Sequence, residues 1–265
     1  MRHALSIAGV DPSGGAGVIA DLKVFIAHNI YAMGAITAVT AQNTQGIFGM
    51  ELISGSLIKE QIDKIFEDIR VDVIKIGVLP SAEIIKAVAN SLREKTELPP
   101  VVLDPVMGCK NGNIWLETEA KSAIVKELFP LATVITPNIH EAREILKKEI
   151  KSKDELKEAC KRLLDYGSKS VYLKAGEFDG ISLDLFYDGK EFVEFKDKRL
   201  NTTSTHGSGC SLSSAIAANL ANGKSLIDAV SAANEYIFLA IKNAFLVGKG
   251  CNPVNHFFKF HNEKS

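Results

Sequence analysis

Thr205-His206-Gly207-Ser208-Gly209-Cys210-Ser211 runs directly into the apolar stretch 212–220, where Ala215, Ile216, Ala217, Ala218 and Leu220 are good helix formers. Two glycines bracket a serine and a buried helix follows, so the segment reads as a loop feeding a helix N-terminus. Such an end carries unpaired N–H groups and a partial positive charge. Glycines let an anion approach that backbone closely. Cys210 falls at the same point, where a helix start is expected to push a thiol pKa down. Two readings are open from this segment: an anion hole with a reactive group, or a small-residue helix start packed in a core.

The chain has 265 residues, 46% of them hydrophobic and a formal net charge of -1. That supports a large core and gives no basic surface for nucleic acid or an anionic membrane. The apolar start 4–10 is too short for a signal peptide or a membrane span, so a cytoplasmic protein is expected. The four cysteines, Cys109, Cys160, Cys210 and Cys251, form no CxxC pair. Free thiols in a reducing compartment fit this spacing better than disulfides or a zinc site.

Outward from the opening segment, strand and helix patterns alternate. Residues 4–8 read as a strand that ends in Gly9-Val10-Asp11-Pro12-Ser13-Gly14-Gly15-Ala16-Gly17. A helix follows with Val18, Ile19, Leu22, Val24, Phe25 and Ile26 near its buried face. The turn is neither a Gly-x-Gly-x-x-Gly fingerprint nor a P-loop, which weakens a nicotinamide oxidoreductase. Good turn chemistry alone also explains Asp11 to Gly14. Strands are expected at 34–41, 47–53, 73–77, 100–103, 134–135 and 171–174, and helices at 57–69, 81–95, 118–129, 139–147 and 153–166. Residues 182–187 and 191–196 flank Asp188-Gly189, which predicts a hairpin with a two-residue type I′ turn. Two helices, 208–221 and 225–245, and a glycine-rich tail loop, 248–254, complete the chain. The alternation predicts an α/β fold with a mostly parallel sheet covered on both faces. With no linker or repeat, residues 1–265 read as one domain. Polar groups cluster just past the strands, at Gln42, Asp104, Thr136 to Asn138 and Lys174, where ligands gather in such sheets. Gln42 suits recognition of a heterocycle, and a capped loop explains it as well. Glu141 reads as a first-turn acid favoured by the helix dipole, and Lys174 as a charge at a strand end.

Gly-Val-Asp-Pro-Ser-Gly-Gly-Ala-Gly at 9–17, Thr-Pro-Asn-x-x-Glu at 136–141 and Thr-His-Gly-Ser-Gly-Cys at 205–210 together resemble the ribokinase-like family. More narrowly, the chain is similar to the hydroxymethylpyrimidine and phosphomethylpyrimidine kinases of thiamine biosynthesis. Ala-Gln-Asn-Thr at 41–44, Lys-Ile-Gly at 75–77, Leu-Asp-Pro-Val-Met at 103–107 and Pro-Val-Asn-His-Phe at 253–257 extend the match over nearly the whole length.

The resemblance implies a ribokinase-like three-layer sandwich and ATP- and Mg2+-dependent phosphorylation of a hydroxymethylpyrimidine and its monophosphate. It implies a pyrimidine ring held among Gly9, Asp21, Gln42 and Val78, the last often methionine in relatives. It places Asp104, Asn138 and Glu141 on the metal side, Lys174 and Thr205 at the ATP phosphates, and Gly207, Ser208, Gly209 and Cys210 at the reacting centre. Most ribokinase-like enzymes carry aspartate at the Cys210 position. Phosphoryl transfer needs positioning more than a strong base, so a thiolate that orients the hydroxyl is compatible. A homodimer is also implied. Cys109, in a polar loop, is either a lid residue, as in pyridoxal-phosphorylating relatives, or an idle thiol. Pyridoxal kinase and a non-catalytic nucleotide sensor remain as alternatives.

Overall fold

The computed structural model describes residues 1–108, 116–178, 181–197, 200 and 202–261. Among them nine strands form one sheet. The strands are β1 (Arg2–Val10), β2 (Ile30–Asn43), β3 (Gly46–Leu52), β4 (Val73–Ile76), β5 (Val101–Leu103), β6 (Val134–Ile135), β7 (Val171–Phe178), β8 (Ile181–Tyr187) and β9 (Phe192–Asp197). Their spatial order is β3-β2-β1-β4-β5-β6-β7-β8-β9. Neighbours from β2 to β7 run parallel, while β3, β8 and β9 add antiparallel edges.

The parallel strands are apolar on both faces, and period-2 alternation divides their side chains between two cores. Leu5, Ile7, Ile74, Ile76, Val101, Leu103, Ile135, Val171 and Leu173 join one core. It is covered by α2 (Gly55–Asp68), α3 (Ala82–Arg93), α4 (Thr118–Ala123), α5 (Ile139–Leu146) and α6 (Lys153–Leu164). Ala4, Val73, Val102, Val134 and Tyr172 face the other. There they meet α1 (Gly17–Ala27), α7 (Ser208–Ala221), α8 (Leu226–Lys242) and α9 (Phe258–His261). This is the three-layer ribokinase-like arrangement expected from the resemblance.

Helix starts follow local chemistry. Ser54, Ser81, Ser152 and Ser225 accept from backbone N–H groups of α2, α3, α6 and α8, as good N-caps do. α1 and α7 differ: Ala16 and Gly207 precede them and neither offers a side-chain cap. Their first N–H groups are left for other partners.

Several expectations are corrected. The helix expected over 118–129 stops at Ala123, widens into a π turn over Ile124–Leu128 and ends in a 3-10 turn over Phe129–Leu131. Pro130 has no N–H for the carbonyl one turn earlier, so the helical ladder cannot continue. The 182–196 hairpin does not close through a two-residue turn. Tyr187 pairs with Phe192, leaving a four-residue loop, 188–191. The Asp188 carboxylate accepts from the Lys190 and Glu191 N–H groups, both at 2.8 Å, and so takes the donors that a tighter turn would use. Ile26, expected on the buried side of α1, is 61% exposed, because Val24 and Phe25 already fill that face. β7 continues past Lys174 through an irregularity to Phe178.

Candidate active site

The carboxyl ends of the parallel strands carry the β1–α1 loop (11–16), Val78 after β4, Asp104 after β5 and Thr136 to Asn138 after β6, with Lys174 at the irregularity in β7. Gly207 closes onto them with φ of +73°, a left-handed conformation suited to glycine. A Cβ there would collide with the Gly15 carbonyl oxygen, so the two glycine loops lie in direct contact. A Cβ on Gly209 would lie 3.3 Å from the Lys174 Nζ and 3.4 Å from the Asp104 Oδ2. The start of α7 therefore faces an ammonium and a carboxylate. Thr205 is exposed, and its carbonyl accepts from the Ser208 N–H at 3.2 Å, closing the turn.

Asp104 is almost fully buried. Its Oδ1 accepts from Lys174 Nζ at 2.9 Å and from Thr136 Oγ1 at 3.2 Å. Burial would lower the Lys174 pKa, but Asp104 and Glu141 more than offset it and hold the ammonium charged. Glu141 belongs to a capping box at α5. Its Oε2 accepts from the Asn138 N–H at 2.8 Å, while Asn138 Oδ1 accepts from His140 and Glu141 N–H groups. The first-turn acid is thus a capping-box partner. Burial raises its pKa to about 7, with Lys174 pulling down and Asp104 pushing up. The Asn138 oxygen is committed to the cap, which removes it as a ready metal ligand.

Among the described residues no group of three or more His, Cys, Asp and Glu side chains is placed to hold a metal ion. Asp104 and Glu141 nevertheless suit Mg2+, which takes one or two carboxylates and completes its shell with water and phosphate oxygens. Two buried acids beside one lysine leave room for that charge.

Gly9, Val78 and Gln42 gather on the other side of the site. Ile7 pairs with Ile76 and its carbonyl accepts from the Gly77 N–H at 2.9 Å, so Gly9 and Val78 follow directly on the last paired residues of β1 and β4. Thr37 Oγ1 donates to the Val78 carbonyl at 2.8 Å. Thr40 Oγ1 lies within hydrogen-bond distance of both the Val10 carbonyl and Gln42 Oε1. The fourth expected ring ligand, Asp21, is not available. It is fully buried, and Lys75 Nζ reaches both its oxygens at 2.8 Å. Ser214 Oγ donates to Oδ1 at 2.7 Å and Ser6 Oγ to Oδ2 at 2.6 Å. These contacts fill the acceptor sites of a carboxylate, so Asp21 has none left for a ring. Lys75 was not singled out from the sequence. A lysine inside Val73–Ile76, a buried parallel strand, requires a buried acid and is the signal that points to this pair.

Cys210 is half-buried, at the first turn of α7 and facing the Gly17 N–H. Its pKa moves opposite to expectation. Burial pushes it up to about 11, against the pull of Lys75, with Asp21 and Asp104 adding to the rise. It is a thiol at neutral pH. The Cys109 loop lies outside the described residues.

The arrangement sets the uncapped start of α7 against a half-buried ammonium, Lys174, and two buried acids, Asp104 and Glu141. This is the chemistry of a phosphotransferase. Residues 11–255 match the phosphomethylpyrimidine kinase family, and the chain belongs to it. It is 41% identical over 261 residues to the hydroxymethylpyrimidine/phosphomethylpyrimidine kinase of Rhizobium meliloti (strain 1021), covering 97% of each chain. It superposes on the phosphomethylpyrimidine kinase of Clostridium difficile 630 with a TM-score of 0.81 and 41% identity, covering 91% of this chain and 100% of that one. An ADP complex of Bacillus subtilis pyridoxal kinase gives a TM-score of 0.88 at 37% identity, covering 97% of both chains.

Proposed function

We propose that this chain transfers the terminal phosphoryl group of ATP to the hydroxymethyl of 4-amino-5-hydroxymethyl-2-methylpyrimidine, and then a second to the monophosphate, in thiamine biosynthesis. The observation that carries this reading is the approach of Gly209 to Lys174 and Asp104 at the uncapped start of α7. The N–H groups of Gly209 and Cys210 are free of side-chain caps and donate to phosphoryl oxygens, while that of Ser208 closes the turn onto the Thr205 carbonyl. Lys174 stays charged beside them. Asp104 and Glu141 would hold Mg2+, which neutralises phosphate charge when bound. Gly9, Gln42 and Val78 flank the pyrimidine, with Asp21 acting beneath the pocket through Lys75. Thr205 shapes the loop by its carbonyl. Cys210, as a thiol, orients the acceptor hydroxyl rather than removing its proton early, which suits a loose transition state.

The reading takes residues 1–265 as one catalytic domain, supported by the single sheet. A homodimer is supported by apolar exposure along the β2–β3 edge, at Val39, Phe48 and Leu52. Among the described residues no helix is long and apolar enough to cross a membrane, in keeping with a cytoplasmic enzyme. Pyridoxal phosphorylation is the second reading, favoured by the close superposition on the Bacillus subtilis enzyme. The test is ADP release with ATP and Mg2+, offered each pyrimidine in turn. Product from both is expected. No ADP with either pyrimidine would overturn the reading.

A further inference from the structure

We propose that His206 is a positioning residue for phosphoryl transfer, a latch that sets the glycine loop at 207–209 against the β1–α1 loop through Asp11. This deepens the proposed function and rests on it.

The latch is built from both ends. Asp11 is almost fully buried, and its carboxylate gathers the β1–α1 loop. Oδ1 accepts from the Ser13 N–H at 2.9 Å and from Ser13 Oγ at 2.7 Å, and Oδ2 accepts from the Ala16 N–H at 3.0 Å. His206 Nε2 reaches the same Oδ2 at 2.8 Å across a sequence separation of 195 residues. Burial works against ionising Asp11, but hydrogen bonds from His206 and Ser13 outweigh it and hold the pKa below the usual value. An ionised carboxylate only accepts, so Nε2 carries the proton.

The backbone of His206 is fixed as well. Its N–H donates to the Asn252 carbonyl at 3.1 Å, and its carbonyl accepts from the Val254 N–H at 3.3 Å. The ring lies against Gly15, where a Cβ would be 3.0 Å from Nε2 and 3.1 Å from Pro253 Cβ. The next residue is Gly207, whose left-handed backbone turns the chain into α7. The side chain of residue 206 therefore holds the acceptor loop, while its own peptide begins the anion-binding turn. No side chain caps α7, and Ser208 N–H turns back onto the Thr205 carbonyl, so the direction of the Gly209 and Cys210 N–H groups depends on this anchor. Lys23 Nζ is engaged by the Gly14 carbonyl at 2.7 Å. Burial, together with Lys23 and His206, pushes His256 down to about 4, so it is neutral.

Errors of about 1 Å between an acceptor and the transferred group cost on the order of a hundredfold in rate. Releasing the latch should therefore appear in kcat. The variants are His206→Ala, His206→Gln, His206→Asn, Asp11→Asn and the double variant His206→Ala/Asp11→Asn. The glutamine amide nitrogen occupies roughly the place of Nε2, whereas that of asparagine falls short.

Expected results are a kcat lowered about a hundredfold in His206→Ala, KM for ATP and acceptor changed little, recovery in His206→Gln and none in His206→Asn. The double variant should be no slower than Asp11→Asn alone, because once the Asp11 carboxylate is gone His206 has no charged partner left to hold. Turnover is measured per folded molecule, with melting recorded alongside. The acceptor is whichever of the pyrimidine and pyridoxal the wild type turns over. A wild type inactive on both overturns the proposed function and the latch with it. An active wild type with unchanged kcat in the variants overturns the latch alone. So does equal loss in glutamine and asparagine, or multiplication of the single effects. If His206→Ala fails to fold, the comparison of His206→Gln with His206→Asn decides.

Discussion

Replacing Asp21 by leucine strands a lysine in the sheet. Lys75 is fully buried, and two bonds to the Asp21 carboxylate are the contacts that hold its charge. Burial alone would lower its pKa, but Asp21, with help from Asp104, keeps it above the ordinary lysine value. Breaking such a pair on one side costs about 3–5 kcal/mol. The Ser6 and Ser214 hydroxyls lose their acceptor too, at about 1–3 kcal/mol for each buried group left unpaired. Against a typical total of about 5–15 kcal/mol, Asp21→Leu should lose a large part of the stability. The double variant Asp21→Leu/Lys75→Met removes both charges, and exchanging a buried pair for apolar residues is neutral or favourable by about 1–4 kcal/mol. It should recover most of the loss, short of what the two serines forfeit. Urea unfolding of the wild type and of both variants measures this. A single variant within about 1 kcal/mol of wild type, or a double variant as unstable as the single, would refute the reasoning. The same double variant separates structure from binding. With the Asp21 carboxylate buried and filled by Lys75, Ser6 and Ser214, KM for the pyrimidine should hold, whereas a large rise would restore Asp21 as a ring ligand.

Other expectations follow from the same geometry. Gly207→Ala forces a side chain into the Gly15 carbonyl at positive φ and should abolish turnover, with the residual fold checked by circular dichroism. Glu141 is raised from 4.5 to about 7, so the folded state holds its proton more tightly than the unfolded chain. Its contribution to stability is then full below pH 4.5 and lost as pH rises through about 7. Glu141→Gln should flatten that window in a series of melting curves, and Mg2+ should raise the melting temperature more at pH 8 than at pH 5. A wild-type curve that does not fall through the window would contradict the account. Cys210→Ala should lower turnover greatly while calorimetric ADP affinity persists. Cys210 itself should alkylate more slowly at pH 8 than free cysteine, read by peptide mass spectrometry, since burial holds it as a thiol.

Much of the architecture is legible because parallel strands and amphipathic helices have distinct periods. β1, β4, β5 and β6 stand out as short apolar runs, and Ser81, Asn138 and Ser225 mark helix starts by their own chemistry. The pieces that escape are those where one side chain overrides a local pattern. Pro130 unwinds the end of α4, and the Asp188 carboxylate takes the turn donors of the β8–β9 hairpin. In the site, the structure brings Lys174, Asp104 and Glu141 together, since strand ends converge in such sheets. The resemblance places Asp21 at the ring, and nothing local in the sequence corrects it, because its partners are distant: Lys75 lies 54 residues away and Ser214 lies 193. The Cys210 thiol shifts upward because burial among Asp21 and Asp104 outweighs the helix start, a balance that no local spacing encodes.

The central claim is specificity for the pyrimidine. The most direct measurement is kcat/KM for hydroxymethylpyrimidine, its monophosphate and pyridoxal under one set of conditions, with products identified by phosphorus NMR. The account predicts phosphorylation of both pyrimidines, ending at the diphosphate, with pyridoxal the poorer substrate. Efficient turnover of pyridoxal with none of either pyrimidine would contradict it.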